Sequence, residues 1–268
     1  MKLPVWLICF TLLLGAPVSF AEISDLSKAI NESGRLRMLT QRLSKAYLLK
    51  NMDIQPGKAQ LQFLSGIEKF DNNLKDLTDF SKKTHNPAPL LVTLDSIMQE
   101  WQGYQAALAK DLDKSNVDDL LLASDRTLLA CEELVNQFEK VAEVQSAQWV
   151  NISGRQRMLS QRIAKLYSAI SYSDGKGIDQ AHITELEEAV KEFDSALNKL
   201  LKSPVNTHFV NHKLKKVATQ WNFSKQGFKL LDAGSSTPLV IAMTTETMLK
   251  QMNDITALYE ALAKKQKS

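Results

Sequence analysis

Ile30-Asn31-Glu32-Ser33-Gly34-Arg35-Leu36-Arg37-Met38-Leu39-Thr40-Gln41-Arg42-Leu43 returns 120 residues later as Val150-Asn151-Ile152-Ser153-Gly154-Arg155-Gln156-Arg157-Met158-Leu159-Ser160-Gln161-Arg162-Ile163. The agreement extends outward. Tyr47 and Tyr167 keep the offset, Phe70-Asp71 and Phe193-Asp194 keep it to within three residues, and Trp101 and Trp221 restore it. Self-similarity at one fixed spacing marks an internal duplication. The unit of about 120 residues is a common domain size.

Within each unit the apolar residues recur every three or four positions. Leu36, Leu39, Leu43 and Tyr47, then Leu61, Leu64, Ile67, Phe70, Leu74 and Leu77, carry this period, and no stretch alternates at period two. Punctuation at Pro56-Gly57, Asn86 to Pro89 and Lys114 to Asn116 divides the first unit into four helices. Gly175 to Gly177, Ser203-Pro204 and Gly234 to Pro238 divide the second likewise. Short connections favour antiparallel neighbours. The expected fold is all-α, two tandem antiparallel four-helix bundles. No glycine or proline lies between the last helix of the first unit and the second box. Val117 to about Tyr172 therefore reads either as one long continuous helix joining the bundles or as two helices broken near Ser146 to Asn151.

Met1 to Ala21 reads as a secretory signal peptide. Lys2 supplies the positive start, Val5 to Leu14 the apolar run, and Ser19-Phe20-Ala21 the small residues at the two positions a signal peptidase reads, with cleavage before Glu22. The expected organisation is 1–21 signal peptide, 22–145 first bundle and 146–268 second bundle, in an exported, periplasmic protein. Cys9 leaves with the leader, so Cys131 has no intramolecular disulfide partner; its helical setting reads as a buried thiol. With 33 basic against 30 acidic residues and a net charge of +3, the charge balance does not point to nucleic acid as a partner.

The repeated box holds the chemistry. On a helix Gly34, Arg37, Met38 and Gln41 share one stripe, as do Gly154, Arg157, Met158 and Gln161. A mid-helix glycine costs about 1 kcal/mol relative to alanine, and close approach by a backbone or a small ligand gives it a reason. An arginine one turn on adds a planar, permanently charged guanidinium suited to a small oxyanion. Each box has three arginines (Arg35, Arg37, Arg42; Arg155, Arg157, Arg162), with Glu32 as the one carboxylate in either. Such arginines read as awaiting an anion; the bland alternative is solvation, or pairing with acids on neighbouring helices.

Asn-x-Ser-Gly-Arg-x-Arg-Met-Leu-x-Gln-Arg resembles the P-box of nitrate/nitrite sensor kinases and of the N-terminal domain of PilJ-type methyl-accepting transducers of type IV pili. The resemblance is close over Ile30 to Tyr47 and Val150 to Tyr167 and architectural elsewhere. It implies a four-helix bundle with the box on its first helix. Two such helices would meet across a dimer axis, holding one nitrate or nitrite between a box arginine from each side. By position, Arg37 and Arg157 become the anion-gripping residues and Gly34 and Gly154 the close-approach residues. Arg42, Arg162, Gln41, Gln161, Met38 and Met158 become supporting residues. Two boxes in one chain imply a covalent pseudo-dimer, or, if the linking helix is straight, boxes that pair with those of a second chain in a homodimer.

His208 and His212 have a metal-compatible spacing, but Lys213, Lys215 and Lys216 crowd them, and no metal or cofactor is expected. No phosphate loop, zinc motif or nucleophile elbow occurs, so an enzyme is not expected. Met243, Met248, Met252, Phe63 and Phe70 read as core, and Lys264 to Ser268 as a frayed end. The expected function is an exported accessory sensor that binds nitrate or nitrite and reports to a membrane receptor. The rival is a helical adaptor of the cell envelope or type IV pilus machinery with a degenerate box.

Overall fold

A computed structural model describes residues 23–85, 87–113, 115–142, 147–173, 180–232 and 237–267. The expected signal peptide lies outside these residues, as do Gly175 to Gly177 and Gly234. The described residues form eight helices: α1 (Leu26–Asn51), α2 (Pro56–Lys82), α3 (Ala88–Leu108), α4 (Val117–Ala142), α5 (Ala147–Tyr172), α6 (Gln180–Leu201), α7 (His208–Asp232) and α8 (Pro238–Lys267). Apart from the one between α4 and α5, the boundaries fall at or within a few residues of the punctuation in the sequence; that one has none, and it lies by the alternative break near Ser146 to Asn151.

Asp25 starts α1 by accepting a hydrogen bond from the Lys28 amide at 3.0 Å, which satisfies one of the donors a helix start leaves free. The turn into α2 uses left-handed backbone at Asp53 (φ 56°) and Gln55 (φ 47°). Pro56 then opens α2, where its missing N–H costs nothing. In the first unit α1 packs on α2, α2 on α3, α3 on α4 and α4 back on α1, closing a four-helix bundle. Helices α5 to α8 close a second in the same order.

The same aromatic corner braces both bundles. Phe70 stacks on Trp101 with centroids 4.1 Å apart, and Phe193 meets Trp221 at 4.2 Å. Each indole N–H donates to the aspartate beside the phenylalanine, Trp101 to Asp71 and Trp221 to Asp194, both at 2.7 Å. The offset across these residues is therefore a structural equivalence.

The bundles lie side by side along an extensive α1–α5 seam. The two helices run parallel, since Arg37 reaches Asn151 while Lys45, two turns on, reaches Gln161. A single long linking helix is ruled out. Glu132 and Arg155 form an ion pair, yet along a straight helix they would be roughly 34 Å apart. Helix α4 ends at Ala142 and α5 begins at Ala147, so the chain reverses between them.

Helices in the middle of a packed array are enclosed on every side. From Ser33 to Leu49 only Arg35 and Arg42 keep partial exposure, and from Ser153 to Ile170 only Arg155 and Arg162 do. Polar side chains on α1 and α5 are consequently buried, and each needs a partner. Three expectations require correction. Met243, read as core, is 49% exposed, because the start of α8 faces outward there. Phe63 is only partly buried against the core. Lys264, read as part of a frayed end, is docked by ion pairs to Asp25 and Glu260.

Candidate functional site

The box glycines face each other across the seam, and both box arginines lie on them. A Cβ on Gly34 would stand 3.2 Å from Nη2 of Arg37 and equally 3.2 Å from Nη2 of Arg157. A Cβ on Gly154 would stand 3.2 Å from Arg157 Nη2 and 3.6 Å from Arg37 Nη2. The missing side chains thus make room for two guanidiniums side by side. Arg37 is 0% and Arg157 1% exposed, so two like charges share one dry space within a single chain.

Their partners differ. Arg37 Nη1 donates to both oxygens of Glu132, at 2.9 and 3.0 Å, and its Nη2 donates to Asn151 Oδ1 at 2.9 Å. Arg157 Nη1 reaches only Asn253 Oδ1, at 3.3 Å, and its Nη2 donates to the Asn31 carbonyl at 3.0 Å. Among the described residues no carboxylate pairs with Arg157. Burial pulls the Arg157 guanidinium down to about 9; Arg35 and Arg37 nearby add to the fall, and the more distant Glu32 and Glu260 offset part of it. Burial also lowers Arg37, but Glu132 offsets part of it. Nε of both arginines is buried without a hydrogen-bond partner, as is Asn31 Oδ1.

Most box arginines do not await an anion. Arg35 pairs with Glu32, Arg155 with Glu132 and Glu192, Arg42 with Glu246, and Arg162 with Glu185. The expectation of uncompensated arginines fails for these four and for Arg37, because Glu32 of the box answers Arg35 and acids on neighbouring helices answer the rest. Arg157 alone keeps a charge unmatched by a carboxylate partner.

About two turns beyond the arginines the seam buries two lysines that the sequence reading passed over. Lys45 donates to Glu246 at 3.0 Å and to Gln161 at 2.7 Å, and Lys165 donates to Asp125 at 2.7 Å. Each pair crosses from one bundle to the other. Burial brings Lys45 down to about 8 against the pull of Glu246. Gln41 donates to Ser124 at 3.1 Å, tying α1 to α4, and Gln161 toward the Thr245 carbonyl at 3.4 Å, tying α5 to α8. Met38 and Met158 are core. Cys131 is a buried free thiol, its pKa raised by that burial. His208 and His212 are exposed.

The family model described as type IV pili methyl-accepting chemotaxis transducer N-term, PilJ, matches residues 20–127 and again residues 142–255. The chain belongs to that family. Neither a curated protein nor a solved structure matches it. As a PilJ chain it carries a sensor-type domain of chemotaxis transducers twice in tandem, as the two boxes led one to expect, and the family is a sensory one with a role in chemoreceptor complexes. No described helix is long and apolar enough to cross a membrane.

Glu132 and Asn253 had a detectable signal. Ser124-Asp125 and Glu139 of α4 correspond to Thr245-Glu246 and Glu260 of α8 at an offset of 121. The structure confirms the register. Glu139 takes Asn151 and Glu260 takes Asn31, while Asp125 takes Lys165 and Glu246 takes Lys45. At that offset Glu132 falls on Asn253, a carboxylate exchanged for an amide at the residue facing each box arginine.

Proposed function

We propose that Arg37 and Arg157 grip one small inorganic oxyanion, nitrate or nitrite, between the two box glycines, and that the chain serves as an exported accessory sensor for a membrane receptor. One observation carries this reading: two fully buried guanidiniums share the space over Gly34 and Gly154, and one of them lacks a carboxylate. A planar anion would give the two unpartnered Nε–H groups an acceptor and would neutralise a charge whose burial is costly. The duplicated box supplies in one chain what two protomers would otherwise contribute, so a second copy is not needed for the site. The bound anion would bridge α1 and α5, and a change in their packing would be the signal passed on.

A second reading has Glu132 on its side. An arginine already paired suits a box that no longer takes a ligand, in a chain acting as a helical adaptor in the sensory complex. Calorimetry of the chain lacking residues 1–21 with nitrate, nitrite, sulfate and chloride separates the two. Saturable heat with nitrate or nitrite, lost in Arg157→Ala, supports the sensor. No heat with any of the four at millimolar concentration leaves the adaptor.

A further inference from the structure

The two halves of the seam differ at the residue that answers each box arginine. Arg37 has Glu132; Arg157 has Asn253, its counterpart on α8. Two carboxylates would neutralise both guanidiniums and leave nothing for a ligand. Two amides would leave two unmatched charges side by side in a dry interior. The mixed pair keeps one guanidinium matched and the other available.

Glu132 is also placed to move. It is 23% exposed, at the edge of the seam, and both its oxygens lie on the single nitrogen Nη1 of Arg37. It already touches Arg155, which is 34% exposed and faces out of the seam. A carboxylate leaving Arg37 therefore stays on a cation it shares with Glu192 and need not cross the core unpaired. An incoming monovalent anion would take its place, so Arg37 would be neutralised before and after.

We propose, resting on the anion-site reading above, that Glu132 is a tethered competitor of the ligand. It holds Arg37 in the empty protein and withdraws to Arg155 when the anion binds. The exchange breaks a link from α4 to α1 and leaves the one from α4 to α5. Occupancy is thereby passed to α4, the helix that joins the first bundle to the second. Glu132 sets the apparent affinity, and Asn253 keeps the opposite side open.

The experiment is nitrate titration by calorimetry of the wild type, Glu132→Gln and Asn253→Glu, with circular dichroism melts confirming that each folds. Glutamine keeps the shape of Glu132 without its charge and should tighten binding at least tenfold. Asn253→Glu gives Arg157 its own competitor; it should weaken binding at least tenfold while raising the melting temperature of the empty protein. Binding by Glu132→Gln in the absence of detectable wild-type binding also supports the competitor. Wild-type binding with Glu132→Gln equal or weaker overturns the competitor and leaves the anion site standing. No binding by the wild type and by Glu132→Gln overturns both.

Discussion

Replacing Arg157 by methionine should stabilise the empty protein, whereas the same change at Arg37 should destabilise it. Arg157 is wholly buried and hydrogen-bonded only to neutral oxygens, those of Asn31 and Asn253. The fall of its pKa from 12.5 to about 9, caused chiefly by burial, corresponds to roughly 5 kcal/mol against the charged form. Methionine removes that cost but takes the donor from Asn253 Oδ1, at roughly 1–2 kcal/mol, while the Asn31 carbonyl keeps its helical N–H. The net gain is roughly 3–4 kcal/mol. At Arg37 the change strands Glu132, which keeps Arg155 as a partner, and the loss is roughly 3 kcal/mol. For a chain of this size each kcal/mol moves the melting point by roughly 2–4 °C. Differential scanning calorimetry in buffer free of nitrate and nitrite should find Arg157→Met melting above the wild type and Arg37→Met below it. Arg157→Met melting below the wild type, or the two variants melting together, would refute the premise that one buried guanidinium is unmatched.

Three further outcomes follow from the seam. Alanine at Gly34 or Gly154 places a methyl 3.2 Å from guanidinium nitrogens; the helix-propensity gain of about 1 kcal/mol should roughly offset the crowding in urea melts, while nitrate affinity measured by calorimetry falls at least tenfold. Lys45 sits at about 8 in the fold against 10.5 as its ordinary value, lowered by burial. Between these values the unfolded chain holds more protons at Lys45, so the Lys45 contribution to stability should rise with pH from about 8 to 9.5, and the pH dependence from urea melts of Lys45→Met should be less positive than that of the wild type. Glu246→Gln strips Arg42 and the buried Lys45 of their shared carboxylate and should cost roughly 3–5 kcal/mol; a melting point within a degree of the wild type would show that the seam does not depend on this ion pair.

The duplicated box, the helical period and the short breaks made the helices and their grouping into two bundles legible, apart from the division between α4 and α5. They also singled out Arg37 and Arg157, because a mid-helix glycine beside an arginine is too costly to repeat without a use. The partners of those arginines were not legible from the box, and the weaker repeat between α4 and α8 aligns them without saying what they face. Glu132 lies 95 residues from Arg37 in sequence, and nothing local to the box announces it. Lys45 and Lys165 stood in the repeat at the same offset, but a lysine reads as a surface residue until a neighbouring bundle covers it.

Periodicity and repetition are read along the chain itself, so the amino-acid order alone settled that the protein is helical in two repeated sets, while whether α4 and α5 are one helix or two was left to the structure. Which faces meet is a matter of packing between distant segments. The reversal between α4 and α5 laid the bundles along one seam instead of end to end, and so brought Gly34, Gly154, Arg37 and Arg157 to one place. The same packing decided which arginines are neutralised, since a charge is matched or stranded by what the neighbouring helix carries at that height. At Arg37 that residue is Glu132; at Arg157 it is Asn253.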